Sequence, residues 1–183
     1  MLKAKPFIKW VGGKSQLIEQ LEAQLPADFD NWKNVTYIEP FVGGGAMLFY
    51  MLQRYPHIRR AIINDINPDL CTCYRTVRDM PEQLIKALYE VERTYLSLKT
   101  EEDRKSYFMS VREHYNEKKL NAIENTTLFF FLNRTCFNGL YRVNKKGLFN
   151  VPFGKYANPT ICDPGTIRKD SELLQQVEIL NED

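Results

Sequence analysis

Apolar positions recur at helical spacing near the start of the chain. Leu17, Leu21 and Leu25, with Ile18 beside them, line one face, and Pro26 ends the run. The spacing predicts a helix from Lys14, after a short extended piece over 5–13 that closes on Gly12-Gly13. The pattern then shortens. VTYIE at 35–39 suits a buried strand, three glycines follow, and residues 46–55 suit a helix packed on a sheet. AII at 61–63 reads as a second strand ending at Asn64-Asp65, and Asn67-Pro68-Asp69 as part of the loop behind it. Strand, glycine turn, helix and strand form a right-handed crossover unit, the hallmark of α/β architecture.

The middle of the chain follows another rhythm. From Pro81 to about Ala122 the pattern is helical, with Leu84, Leu88 and Val91 on one face and Tyr107, Val111 and Tyr115 repeating it. LFFF at 128–131 begins a further buried element, and 138–156 reads as hairpins and loops, aromatic and β-branched residues punctuated by Gly, Pro and Asn. This places a mainly helical insertion at 76–165. Residues 165–176 then suit a helix and VEIL at 177–180 a third strand.

Charge changes the picture only locally. Lys plus Arg number 25 and Asp plus Glu 23, a formal charge of +2 that neither requires nor excludes nucleic acid. Between Glu124 and Asp163, however, there is no acid, while Arg134, Arg142, Lys145, Lys146 and Lys155 carry five positive charges. Cys71, Cys73, Cys136 and Cys162 form no CxxC pair, and His57 and His114 lie far from them in sequence. The expectation is a reduced cytoplasmic protein with no structural metal, no secretion signal and no membrane span.

Gly43, Gly44 and Gly45 follow a strand and open a helix, a place where a ligand can approach the backbone. Asp65 follows Gly43 by 22 residues, near the spacing of an acid that grips ribose hydroxyls. The dinucleotide fingerprint fails because Leu48 stands where its third glycine belongs, and no GK[ST] closes the loop. Gly13-Lys14-Ser15 has that tripeptide's form but lacks the upstream glycine. Adenosine binding without a pyrophosphate fits better; the plainer alternative is a structural turn with Asp65 as a helix cap.

FIKWVGGK at 7–14, IEPFVGGGAM at 38–47, NDIN at 64–67 and NRTCFNGLYRVNKKGLFNVPFGKY at 133–156 closely resemble Dam-type DNA adenine-N6 methyltransferases, in that family's order and over essentially the whole chain. The resemblance implies a Rossmann-like, S-adenosylmethionine-dependent core. Residues 1–75 would form its cofactor-binding part, 76–165 a target-recognition insertion and 166–183 a return to the core. It places Trp10 and Lys14 in a motif that closes over S-adenosylmethionine. Glu39, Phe41, Gly43 and Gly45 would surround the methionine and sugar, Asp65 the ribose hydroxyls and Ile66 the adenine, with Asp183 near the adenine edge. Without the resemblance, Trp10 reads as a lid over the core and Lys14 as a surface residue.

In the insertion the resemblance makes Arg142 the reader of a guanine in a GATC site, with Asn138 and Leu140 in the probing hairpin. Pro152 and Lys155 match further recognition positions, and Arg134, Lys145 and Lys146 are phosphate candidates. On composition alone such a patch reads equally as a solvated face. Lys155 stands where arginine also occurs in the family, and lysine lacks arginine's rigid fork. The partner implied is double-stranded DNA with an adenine flipped out.

The family's Asp-Pro-Pro-Tyr motif, which receives the flipped base, is absent from these 183 residues. Asp163-Pro164-Gly165-Thr166 lacks the second proline and the aromatic ring and reads as a turn and helix start. No catalytic residue is therefore assigned. An incomplete core is expected, with a carboxyl-terminal portion or complementing chain as its counterpart. The noncatalytic alternative is a DNA-binding remnant.

Overall fold

The computed structural model describes residues 3–183. Three parallel strands, β1 (Val35–Glu39), β2 (Ile58–Asn64) and β3 (Val177–Leu180), lie in the order β1-β2-β3. Glu39 is paired with Ile63, and Ile63 in turn with Ile179. Strand alternation puts Ala61, Ile63, Val177 and Ile179 on one face, all buried. The other face carries Ile38, 61% exposed, beside Ile62. Parallel sheets usually have both faces covered; among the described residues this one has a covered face and an open one.

The first expected helix is much reduced. Lys14–Leu17 forms a tight 3-10 turn, and α1 runs only from Ile18 to Glu22. Leu17 and Leu21 are 47% and 37% exposed, while Ile18 and Leu25 rest on the core edge. The apolar spacing is real, but too few neighbours face it to support a longer helix, and short helices do not stand alone.

The crossover unit forms as its pattern suggests. The chain leaves β1 through the glycine loop, enters α2 (Ala46–Arg54) and returns as β2. Beyond Asp65, the supposed loop is a helix, α3 (Pro68–Asp79). The Asn67 side chain accepts from the Asp69 and Leu70 amides, and Pro68 sits at the first turn, where its missing N–H costs nothing. Leu70, Tyr74 and Val77 are fully buried along its inner face. The same Asn-Pro pair that punctuates a loop also starts a helix.

Three helices build the insertion: α4 (Pro81–Ser97), α5 (Glu101–Asn116) and α6 (Ala122–Thr135). The LFFF run lies in the middle of α6 rather than at its start, which a reciprocal Asn121–Glu124 capping box fixes. Phe129, Phe130 and Phe131 are buried on several sides because α3, α4 and α5 all pack on this helix. Helix α7 (Pro164–Leu174), capped by Asp163, leads into β3 as expected. A single buried cluster joins the sheet to the insertion, and α3 runs across the 75/76 border drawn from sequence. All four cysteines are free and buried. No helix among the described residues is long and apolar enough to cross a membrane.

Candidate functional site

The loop after β1 sits at the carboxyl ends of the strands. Gly43 and Gly45 take φ of +51° and +77°, the left-handed region that suits glycine. A Cβ on Gly43 would lie 2.8 Å from Trp10 Cδ1, so the indole lies directly against this backbone. On the other side of the loop, Gly43 N donates to Asp65 Oδ2 at 3.0 Å and Asn67 N to Oδ1 at 2.9 Å. Each carboxylate oxygen is held by a backbone amide and keeps accepting capacity for another donor.

Trp10, Gly12–Lys14, Phe41–Gly44 and Asp65 line an open cleft of about 230 Å³. Enclosed ligand sites run to roughly 300–1,000 Å³. This one is shallower because its rim is open: Phe41 is 78% exposed and Ile66, next to Asp65, 68%. Lys14 Nζ donates to the Phe41 carbonyl at 2.7 Å and lies 3.2 Å from Glu39 Oε1. Glu39 is buried and also accepts from Tyr37 Oη at 3.0 Å. Burial raises its pKa, with the Lys14 ammonium opposing that rise.

Of the nine sequence-derived cofactor residues, Trp10, Lys14, Phe41, Gly43 and Asp65 thus share one cleft. Glu39 lies behind Lys14, and Ile66 stands beside Asp65. Gly45 faces the core: a Cβ there would lie 2.5 Å from Tyr74 Oη. Asp183 is exposed beyond β3 and lines no part of the cleft. Its neighbours make the contacts instead. Asn181 Nδ2 donates to the Asp65 carbonyl at 2.7 Å, and Asn64 exchanges hydrogen bonds of 2.8 and 3.0 Å with the Glu182 backbone. Tyr74, unmarked in the sequence reading, donates to the Gly43 carbonyl at 2.9 Å and supports the loop from below.

The basic segment is a compact hairpin with antiparallel bridges Cys136–Phe153 and Val143–Phe149. Lys145 and Lys146 are exposed at its turn, which the Asn144 side chain closes by accepting from Lys146 N and Leu148 N. Asn138 (φ +54°), Arg142, Pro152 and Lys155 are exposed, and Leu140 is half-buried. Lys155 pairs with Glu101 at 2.9 Å. Arg134 is placed differently. Its guanidinium turns inward to donate to the Phe7 carbonyl at 2.7 Å, and burial lowers its pKa.

Aromatic rings tie hairpin and cleft together. Tyr141 stacks on Trp10 at 5.3 Å between centroids and on Phe129 at 5.1 Å. Asp69, in the first turn of α3, accepts from Tyr115 Oη at 2.6 Å and Lys118 Nζ at 2.8 Å. The loop that carries Asp65 is thereby fastened to the insertion.

Comparison with known proteins identifies the family. Residues 10–183 match the family described as D12 class N6 adenine-specific DNA methyltransferase. The type II methyltransferase M.MjaIII of Methanocaldococcus jannaschii is 47% identical over 181 residues, covering 98% of this chain and 62% of that protein. The type II methyltransferase M1.LlaDCHI of Lactococcus lactis subsp. cremoris is 36% identical, covering 97% of this chain and 57% of its own length. The DNA adenine methylase of Escherichia coli K12 is 33% identical, covering 87% and 51%. The chain therefore spans between about half and three fifths of these relatives' lengths. A match from Trp10 to Asp183 takes in both the cleft and the basic hairpin, and the chain belongs to the D12 class of N6 adenine-specific DNA methyltransferases.

Proposed function

We propose that this chain binds S-adenosylmethionine in the Trp10–Asp65 cleft and a GATC-containing duplex through its basic hairpin, in service of adenine-N6 methylation. The observation that carries the reading is Asp65. Its carboxylate is fixed by the Gly43 and Asn67 amides at the mouth of the glycine loop, with accepting capacity left for a pair of ribose hydroxyls. The remaining residues fit the cofactor. Glu39 Oε1 is a buried acceptor without a well-aligned hydrogen bond, although Lys14 Nζ lies 3.2 Å away, so it can take an ammonium group. The cleft offers a carboxylate and one lysine rather than a ring of phosphate-binding cations.

When bound, S-adenosylmethionine supplies an electrophilic methyl group. The chain's residues supply binding and orientation: Asp65 fixes the sugar, Trp10 and Ile66 contribute apolar surface, and Lys14 holds the Phe41 carbonyl in place. On the hairpin, Arg142 reads guanine while Lys145 and Lys146 meet phosphates. Methyl transfer to a flipped adenine is assigned to these residues together with an Asp-Pro-Pro-Tyr motif, which the 183 residues do not contain. That composition also favours a second reading for the chain alone, DNA binding without methyl transfer. The four buried free thiols suit a reducing cytoplasm.

The test is cofactor-dependent binding to matched duplexes carrying GATC or GTTC, followed by labelled-methyl transfer on adding a carboxyl-terminal D12 segment. Preference for GATC and transfer only in the complemented mixture are expected. Equal binding to both duplexes would remove the target assignment.

A further inference from the structure

Arg142 and Asn150 face one another across the hairpin. The Asn150 amide donates to the Arg142 carbonyl at 3.1 Å, next to the Val143–Phe149 bridge. The side chains meet as well. Arg142 Nε donates to Asn150 Oδ1 at 2.8 Å, and its Nη2 to the Asn150 carbonyl at 3.2 Å. These two donors form the side-on edge of the guanidinium. The end-on edge, with an N–H on each terminal nitrogen, is still unused. It is a fork of the kind that meets guanine O6 and N7 in the major groove.

We propose that Asn150 is a positioning residue for base recognition. It occupies the side-on edge of Arg142, presents the end-on fork, and restrains a long side chain before DNA arrives. This rests on Arg142 being the guanine reader. Immobilising a rotamer-rich side chain on binding costs a factor of about 2–12 in affinity, and Asn150 removes part of that cost in advance. The turn behind it is firm: Phe149 is buried, and the Asn116 side chain both accepts from Phe149 N at 2.8 Å and donates to its carbonyl at 3.0 Å. Asn150 therefore acts from a fixed backbone. If it only contacted phosphate, it would strengthen binding to every duplex alike; as a positioning residue it sharpens guanine recognition.

The experiment measures binding of the cofactor-supplied chain to a GATC duplex and to the same duplex with 7-deazaguanine in place of guanine, which deletes the N7 acceptor. Wild type should prefer guanine about tenfold, the scale of one hydrogen bond from a charged donor. Arg142→Ala should abolish the preference, Asn150→Ala should reduce it to about threefold, and the double variant should match Arg142→Ala. Asn150→Asp keeps an acceptor for Nε, so it should retain the preference while weakening binding to both duplexes. Near-ultraviolet circular dichroism checks that the hairpin stays packed. Full preference in Asn150→Ala, with none in Arg142→Ala, would overturn the positioning role and leave Arg142 as reader. Equal loss on both duplexes in Asn150→Ala would also overturn it. Preference surviving in Arg142→Ala would remove the reader and the proposal together.

Discussion

Adding one methyl group at Gly45 tests how the glycine loop is built. Gly45 has φ +77° and caps α2, and its added Cβ would lie 2.5 Å from Tyr74 Oη and 3.2 Å from Phe49 Cε2. Tyr74 cannot swing away: it is fully buried, hydrogen-bonded to the Gly43 carbonyl, and packed edge-on against Phe7 at 4.9 Å. Left-handed backbone costs a non-glycine residue about 1–2 kcal/mol. Overpacking adds about 1–3 kcal/mol, and the stiffer unfolded chain returns about 0.4–1 kcal/mol. Gly45→Ala should therefore destabilise by about 2–4 kcal/mol, lowering Tm by about 5–15 °C in a chain of this size. Gly12 is the control. It has φ +74° but nothing within 4 Å of an added Cβ, so Gly12→Ala should cost about 1 kcal/mol. Urea unfolding of both variants, Tyr74→Phe and the Gly45→Ala/Tyr74→Phe pair supplies the assay. Removing the hydroxyl should relieve the clash, leaving the pair less destabilised than the sum of its singles by about 1 kcal/mol. Equal losses at Gly12 and Gly45, or strict additivity, would refute the packing argument.

Burial raises the pKa of Asp170 to about 8, so between pH 4 and 8 the folded state holds a proton that the unfolded state has released. Its contribution to stability is full below pH 4 and is lost as pH rises towards 8; Asp170→Asn should flatten that part of the urea midpoint profile, and an unchanged slope would contradict it. Tyr141→Ala removes two stacked partners and should cost about 2–3 kcal/mol in the same assay. Lys145→Ala and Lys146→Ala should each reduce the salt slope of DNA binding by about one while leaving base preference intact, as titration from low to high salt will show.

The sequence pattern located β1, α2 and β3 because each is a short, mainly apolar run bounded by glycine, proline or polar residues. It failed where two structures share one signal. Asn67-Pro68 punctuates a loop and also caps a helix, and only the buried Leu70, Tyr74 and Val77 decide for α3. Leu17 and Leu21 form a helical stripe, yet periodicity cannot say whether a neighbour will cover it. In the cleft, Gly43 and Asp65 were legible from their spacing. Tyr74 and Asn181 were not, because each acts through a backbone carbonyl contact that only the folded chain creates. Arg134 belonged by composition to the basic patch, but its contact with Phe7 spans 127 residues and leaves no local trace.

Calorimetric titration of the folded chain with S-adenosylmethionine bears most directly on the cleft. Saturable one-site binding is expected, weakened by about tenfold or more in Asp65→Ala through loss of hydrogen bonds to a charged acceptor. No heat of binding from a chain that unfolds cooperatively, or binding indifferent to Asp65→Ala, would contradict the account.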